Sequence, residues 1–424
     1  MLLHNARLLD PANNIDRNGS LLLDKGCIKA IDPADKDIPK SVERIDCKGN
    51  ILTPGLIDIC TFTGEPGSEY RETLASASNA AAAGGITSFA VLPNTNPVID
   101  NIALVDFIKR RARAQAKTHV YPLAALTKGC KGEQMTEIAL LRDAGARAFT
   151  DGENALTDSQ LMRRIMEYAT DVNALIVQYA LEPRLCGDGV MHEGALATRL
   201  GLKGIPPAAE TTLIERDLRL VELTGVQYHV AQASCSDTIE LIRNAKDKGL
   251  PVTCGVAATH LALTQDDVGE YRTFLKLMPP LRSENDRLAL VDALQDGTID
   301  VITSNHKPED PETKRQPFAI ASFGSVGLET MLSASLIPVA EGRLTLSRAI
   351  TAMTTTPADL LGLKAGRLVA GAPADITVFD TEAEWKVDAD SLCSKAHNSA
   401  FDEQTLRGKI LHTIVDGNIV FTAG

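Results

Sequence analysis

The sequence predicts an α/β protein: a closed (β/α)8 barrel of TIM type, with a small β-sandwich built jointly from both chain termini. Three observations point there. The middle of the chain alternates apolar strand segments with amphipathic helical ones, and the strand segments number eight. The first fifty and last sixty residues read instead as short strands separated by turn dipeptides. A composition of 44% apolar and 23% charged residues over 424 positions is that of a globular chain long enough to bury its own core.

The elements follow in order. Ala6–Leu9, Ser20–Leu23 and Cys27–Ile31 are short apolar runs punctuated by Asp-Pro, Asn-Gly and Lys-Gly. Residues 1–51 therefore form the first half of the sandwich. The eight strands of the middle are Ile51–Cys60, Ile86–Leu92, His119–Leu126, Ala146–Thr150, Ala174–Ala180, Val226–Ala231, Pro251–Ala257 and Ile299–Ser304. Between them Glu133–Asp143, Ser159–Tyr168, Ala208–Leu223, Asp237–Lys248 and Arg287–Leu294 carry helical periodicity. Helix starts are expected at Thr211–Glu215 and at Ser236-Asp237, and stops at Gly225 and Gly249. Residues 52–360 make the barrel. Ala374–Phe379, Lys409–Val415 and Asn418–Phe421 supply the second half of the sandwich within residues 361–424, since neither end alone can bury a face. The same alternation would also suit an open doubly wound sheet.

Charge and composition exclude several classes. With 43 basic against 55 acidic side chains the net charge is −12, which disfavours nucleic acid and anionic membrane as partners. Eight cysteines without a paired CxxC spacing fit buried thiols of a reducing cytoplasm. Asp10 interrupts the first apolar run before a signal h-region forms. The uncharged stretch Leu74–Ile99 has the length of a membrane span, but Gly84-Gly85 and Pro93 break it and Ala, Ser and Asn dilute it. The expected location is the cytoplasm.

In a closed α/β barrel chemistry sits at the C-terminal tips of the strands. Strand one ends in Pro54-Gly55-Leu56-Ile57-Asp58, followed by Cys60, Phe62 and Glu65-Pro66-Gly67. Further along stand Pro93-Asn94-Thr95, Thr127-Lys128-Gly129 with Lys131-Gly132, Gly204-Ile205-Pro206 through Glu210, Pro279-Pro280-Leu281-Arg282, Gly327-Leu328-Glu329-Thr330 and Gly371-Ala372-Pro373-Ala374-Asp375. Together these motifs resemble those of the dihydroorotase family of the amidohydrolase superfamily, and they run through nearly the whole chain.

That resemblance implies zinc, whose bound hydroxide would attack an amide carbonyl. The positions it implies for the ligands are Cys60 and Phe62 from strand one, Asp151 from strand four, Tyr179 from strand five, Gln232 from strand six and Asn305 from strand eight. A phenyl ring binds no metal, and an amide is a poor ligand that exchanges no proton near neutral pH. Only Asp151 and Cys60 retain ligand chemistry. Of the substrate-binding positions, Asn94 and His306 remain as remnants, while the family's carboxylate-gripping Arg is Gly64 and the Asn before Pro279 is Met278. The expectation is no metal, no cofactor and no catalytic residue.

Each position also has a plainer role. Cys60 reads as a buried thiol, Tyr179 and Gln232 as polar fillers of a vacated cavity, His229 and His260 as core histidines, and Asp151 as a local acceptor. Two function classes follow. One is a non-catalytic chain acting as a structural or regulatory subunit for the aspartate carbamoyltransferase catalytic chain, in an oligomer, as the resemblance implies. The other is a live cyclic amidohydrolase with a divergent site built on Cys60 and Asp151.

Overall fold

The computed structural model describes residues 1–424. Its terminal strands are β1 (Leu2–Asp10), β2 (Ile15–Asp24), β3 (Cys27–Ile31), β4 (Arg44–Asp46) and β5 (Ile51–Pro54). There follow β6 (Leu56–Thr61), β7 (Ile86–Val91), β8 (His119–Pro122), β9 (Ile176–Gln178), a two-residue pair β10 (Met191–His192) and β11 (Gly204–Ile205), then β12 (Tyr228–Val230), β13 (Val252–Ala257) and β14 (Val301–Thr303). The chain ends with β15 (Ile376–Lys386), β16 (Thr405–Val415) and β17 (Asn418–Thr422).

Both termini enter one mixed sheet of eight strands, ordered β17-β16-β15-β5-β1-β2-β3, with β4 beside β1. The junction of the two ends is antiparallel, Ile376 facing Pro54 and Phe379 facing Ile51. One face of this sheet covers a core of 13 buried residues, among them Leu3, Leu8, Leu21, Leu52, Ile376 and Ile414. The strand expected over Ile51–Cys60 is thus two strands. It breaks at Gly55, so that Ile51–Pro54 joins the terminal sheet and Leu56–Thr61 begins the parallel part.

The remaining long strands form two parallel arcs, β6-β7-β8 and β14-β13-β12-β9. Parallel bridges join them at both ends: Ala124–Phe149 and Phe149–Ile176 on one side, Thr61–His306 on the other. The strand expected over Ala146–Thr150 shrinks to these bridges, because its pairing is confined to Arg147–Thr150 before the chain turns at Asp151. Adjacent residues of the strands belong to different cores. Leu56, Phe89 and Ile176 pack outward into a cluster of 74 buried residues that includes the helices, whereas Ile57, Ala90 and Val177 pack inward into a cluster of 16. That period of two, apolar on both faces, is what buried parallel strands require.

Helices cover the outer face. The uncharged stretch after Thr73 opens with a capping box between Thr73 and Ser76, runs as helix over Leu74–Ala83, and turns at Gly84 into β7. The helix expected over Ala208–Leu223 runs over Ala208–Thr224; it starts directly after Pro207, whose fixed φ suits a helix start, rather than at the signal Thr211–Glu215. It ends at Gly225, in the left-handed conformation with φ of 70°. No helix is long and apolar enough to cross a membrane.

Candidate active site

Short strands end and their next residues converge. Tyr179 follows β9, Gln232 lies just beyond β12, and Asn305 and His306 follow β14, while β6 brings Cys60 and leads into Phe62. Cys60, Phe62, Tyr179, His229, Asn305 and His306 share one cavity with an apolar wall of Ile59, Leu92, Leu123, Leu175 and Val177. Only about 20 Å3 of it admits a water-sized sphere, room for about one water. Side chains have filled this space.

The polar groups there are poor metal donors. The Gln232 amide donates to Cys60 Sγ at 3.5 Å. Complete burial, with Asp58 nearby, pushes the Cys60 thiol far above its ordinary range, so it stays protonated. Burial likewise raises the Tyr179 phenol, which has no hydrogen-bond partner. His229 is pushed down to about 3 by burial and is neutral. Its Nδ1 lies 2.8 Å from Thr253 Oγ1 and its Nε2 has no partner. The Asn305 amide donates to the Met278 carbonyl at 3.3 Å.

Asp151, a ligand candidate by sequence, is turned away from this cavity. Its carboxylate accepts the Thr127 amide at 2.9 Å and the Thr127 hydroxyl, and so fixes the loop Thr127–Gly132. Burial is the main influence on it and raises its pKa. Asn94 does not reach the cavity either. It packs under Gly152, where a Cβ would stand 2.6 Å from the Asn94 side chain. His306 Nε2 lies 3.4 Å from the buried Glu72 carboxylate without hydrogen-bond geometry, and its Nδ1 accepts the Gly327 amide at 3.2 Å.

Two further features escaped the sequence reading. Lys307 and Glu153 form an ion pair of 2.7 Å at the cavity wall. Each is one or two positions from a residue the motifs single out, so spacing was the available signal. Arg71 lies 5.0 Å from the centre of the Phe62 ring, donates to the Pro308 carbonyl and pairs with Glu309, closing the cavity beside strand one. Gly64, where the resemblance implies an arginine, has φ of 71°, and a Cβ there would meet the Ser68 carbonyl oxygen at 2.6 Å. An arginine does not fit this backbone.

A tetrahedral zinc needs about three protein donors of nitrogen, thiolate or carboxylate type, with water in the fourth place. Around the cavity stand a protonated thiol, a phenol, two amides, the imidazoles of His229 and His306 outside the expected set, and the Glu153 carboxylate, which is paired with Lys307; no three of them come together as ligands. These residues do not fit the metal. The one grouping of three potential ligands in the molecule is His119, Asp375 and Asp416, and His119 opens β8 at the opposite end of the strands.

Comparison with known proteins places the chain in a family. A dihydro-orotase-like model matches residues 49–238, and an amidohydrolase family model matches residues 323–421. The chain is 41% identical over 423 residues to a dihydroorotase of Citrifermentans bemidjiense, covering 100% of both chains. It is 42% identical over 421 residues to a dihydroorotase of Geobacter metallireducens, covering 99% of each. Among solved structures, the L-hydantoinase of Arthrobacter aurescens superposes with a TM-score of 0.89 at 26% identity, over 100% of this chain and 96% of that one. A dihydropyrimidinase of Brevibacillus agri shares the fold, with a TM-score of 0.86 at 20% identity over 99% and 95%. Motifs, fold and full-length identity agree: the chain belongs to the dihydroorotase family of amidohydrolases.

Proposed function

We propose that this chain is a non-catalytic, cytoplasmic member of the family, whose two arcs act as a closed eight-stave barrel and whose role is structural or regulatory. Its partner in this reading is the catalytic chain of aspartate carbamoyltransferase, in a mixed oligomer. The observation that carries the non-catalytic part is that Phe62, Tyr179 and Asn305 line a cavity with room for about one water, with Gln232 against Cys60 of its wall. Losing one ligand would retune a metal site; replacing four leaves nothing to hold a hydroxide. The partner rests on the resemblance of the motifs, and the acidic balance of −12 suits a partner with basic patches.

A second reading is a live cyclic amidohydrolase, acting on dihydroorotate or carbamoyl aspartate. It is favoured by 41–42% identity along the whole chain to proteins named dihydroorotase. Elemental analysis of the purified chain, with a dihydroorotase assay, separates the two. Sub-stoichiometric zinc and no turnover are expected; near-stoichiometric zinc with turnover would establish the second reading. Co-expression with the aspartate carbamoyltransferase of the same organism, followed by size-exclusion chromatography with light scattering, tests the partner. Co-elution at a defined stoichiometry is expected. Separate peaks at micromolar concentration, with the transferase fully active alone, would refute it.

A further inference from the structure

At the N-terminal end of the strands, opposite the site above, lies a pocket of about 450 Å3. Lys109, Arg113, Lys117 and Arg147 line it, and Asp416 is the one carboxylate on its wall. That is a local excess of positive charge in a chain whose net charge is −12. The cations come from separate elements. Arg113 stands in the last turn of the helix Ile102–Gln115, Lys117 in the link to β8, and Arg147 on the approach to Phe149.

A basic residue in a last helical turn has an ordinary use, since it complements the helix dipole. That covers Arg113 and leaves Lys117 and Arg147, which lie outside the helix. Lys109 is held by the Ala144 carbonyl at 2.6 Å, and its nearest carboxylate, Asp106, is 3.9 Å away. Arg147 lies 5.3 Å from the centre of the Tyr121 ring, so the aromatic face places its guanidinium while leaving the planar N–H fork uncommitted. Gly145 keeps the wall open: its φ is 117°, and a Cβ there would stand 3.0 Å from Lys109 Nζ. His119 lies 3.2 Å from Asp375 and 3.7 Å from Asp416. The hydrogen bond to Asp375 raises its pKa, which adds a fraction of positive charge near neutrality.

We propose that this pocket binds a polyphosphate group, bare or carried on a nucleoside. Forked guanidinium donors and flanking ammonium groups on facing walls match several anionic oxygens in a row, and a single orthophosphate would engage only part of the set. The site shares no lining residue with the cavity at the other end of the strands.

Isothermal titration calorimetry on the full chain at about 0.15 M salt tests it, with sodium tripolyphosphate, orthophosphate and adenosine triphosphate as probes. Tripolyphosphate should bind saturably at one equivalent, about tenfold or more tighter than orthophosphate. The triple variant Arg113→Gln/Lys117→Gln/Arg147→Gln should weaken it about tenfold or more, with an unchanged melting curve because all three side chains are exposed. Lys117→Glu should weaken it alone. Adenosine triphosphate binding more tightly than tripolyphosphate marks a nucleoside-borne ligand, and equal affinities mark the bare chain; both support the site. No saturable heat up to roughly 5 mM, or binding unchanged in the triple variant, would overturn it. So would binding that requires added Mg2+ and disappears in Asp416→Asn, since that result assigns the pocket to a cation at His119, Asp375 and Asp416.

Discussion

Asp58 shows how a motif residue can serve the fold. It is fully buried, and its carboxylate accepts the Ser304 amide at 2.8 Å, the Ser304 hydroxyl at 2.7 Å and the Thr61 hydroxyl. It therefore ties the first parallel strand to the last. Hydrogen bonds to a charged group contribute about 1.5–3 kcal/mol each, so Asp58→Ala should cost about 3–5 kcal/mol, read as a fall in the urea midpoint. A loss under about 1 kcal/mol would mean the two strands hold together without it. Cys60 makes a second case. Its protonated, buried thiol should not react with an aromatic disulfide reagent in the native protein, whereas exposed Cys27 and Cys393 should react at once and half-buried Cys186 more slowly. Fast labelling of Cys60, identified by peptide mass, would contradict the closed cavity. On the proposed non-catalytic reading, a single substitution at these positions should not produce activity. Asn305→Asp leaves Phe62, Tyr179 and Gln232 in place, and members of a catalytic unit act non-additively, so no dihydroorotase turnover is expected.

Among the elements, the segment Lys307–Phe323 stands out for what holds it. Lys314 donates to the carbonyls of Thr273 at 3.0 Å and Ser322 at 2.8 Å, and Lys276 donates to Ala319 at 3.0 Å with its ammonium 4.6 Å from the Phe323 ring centre. Both amines are buried. Burial pushes Lys314 down to about 7, against the opposing pull of Glu309, and Lys276 to about 8. Both values lie below the roughly 10.4 of a free lysine, so the opened segment binds more protons than the closed one between those limits. Closure should therefore strengthen as pH rises from 7 towards 9, with little change below 7. Cleavage by a broad-specificity serine protease, normalised against an unfolded peptide, should slow over that interval, and Lys314→Met should remove most of the trend. Faster cleavage of the native segment at pH 9 would reverse the sign and sink the idea. The sequence says nothing of this clamp, because carbonyls as far away as Thr273 meet the amine only in the fold.

At the scale of the molecule, period-two and period-3.6 patterns made most strands and helices legible, since each reports which face of one element is buried. What they missed depends on distant partners. Gly55 looks like the middle of one apolar strand, yet the residues on its two sides pair with different sheets. Asp151 sits at a ligand position by motif, but its oxygens are committed to Thr127, which spacing alone does not reveal. That Phe62 and Asn305 are poor zinc donors is legible outright, because residue type alone decides whether a side chain can hold zinc. The same dependence on distant partners governs how the whole chain unfolds. The terminal sheet has a core of 13 residues contributed by both ends, too small to stand alone. Meanwhile Phe379, Leu406 and Ile410 of β15 and β16 belong to the 74-residue core beneath the helices. Melting the sheet therefore exposes the main core, and melting the body removes the surface on which the sheet rests. Differential scanning calorimetry should show one endotherm, with van't Hoff and calorimetric enthalpies in agreement, although chains of this length commonly show several. A chain ended at Ala372 lacks β15–β17 and leaves β5 as an open edge, so it should be insoluble, whereas removal of Ala423 and Gly424 should leave the melting temperature unchanged. Two resolved endotherms, or a soluble and cooperatively folded 1–372 fragment, would show that the terminal sheet is a separate module.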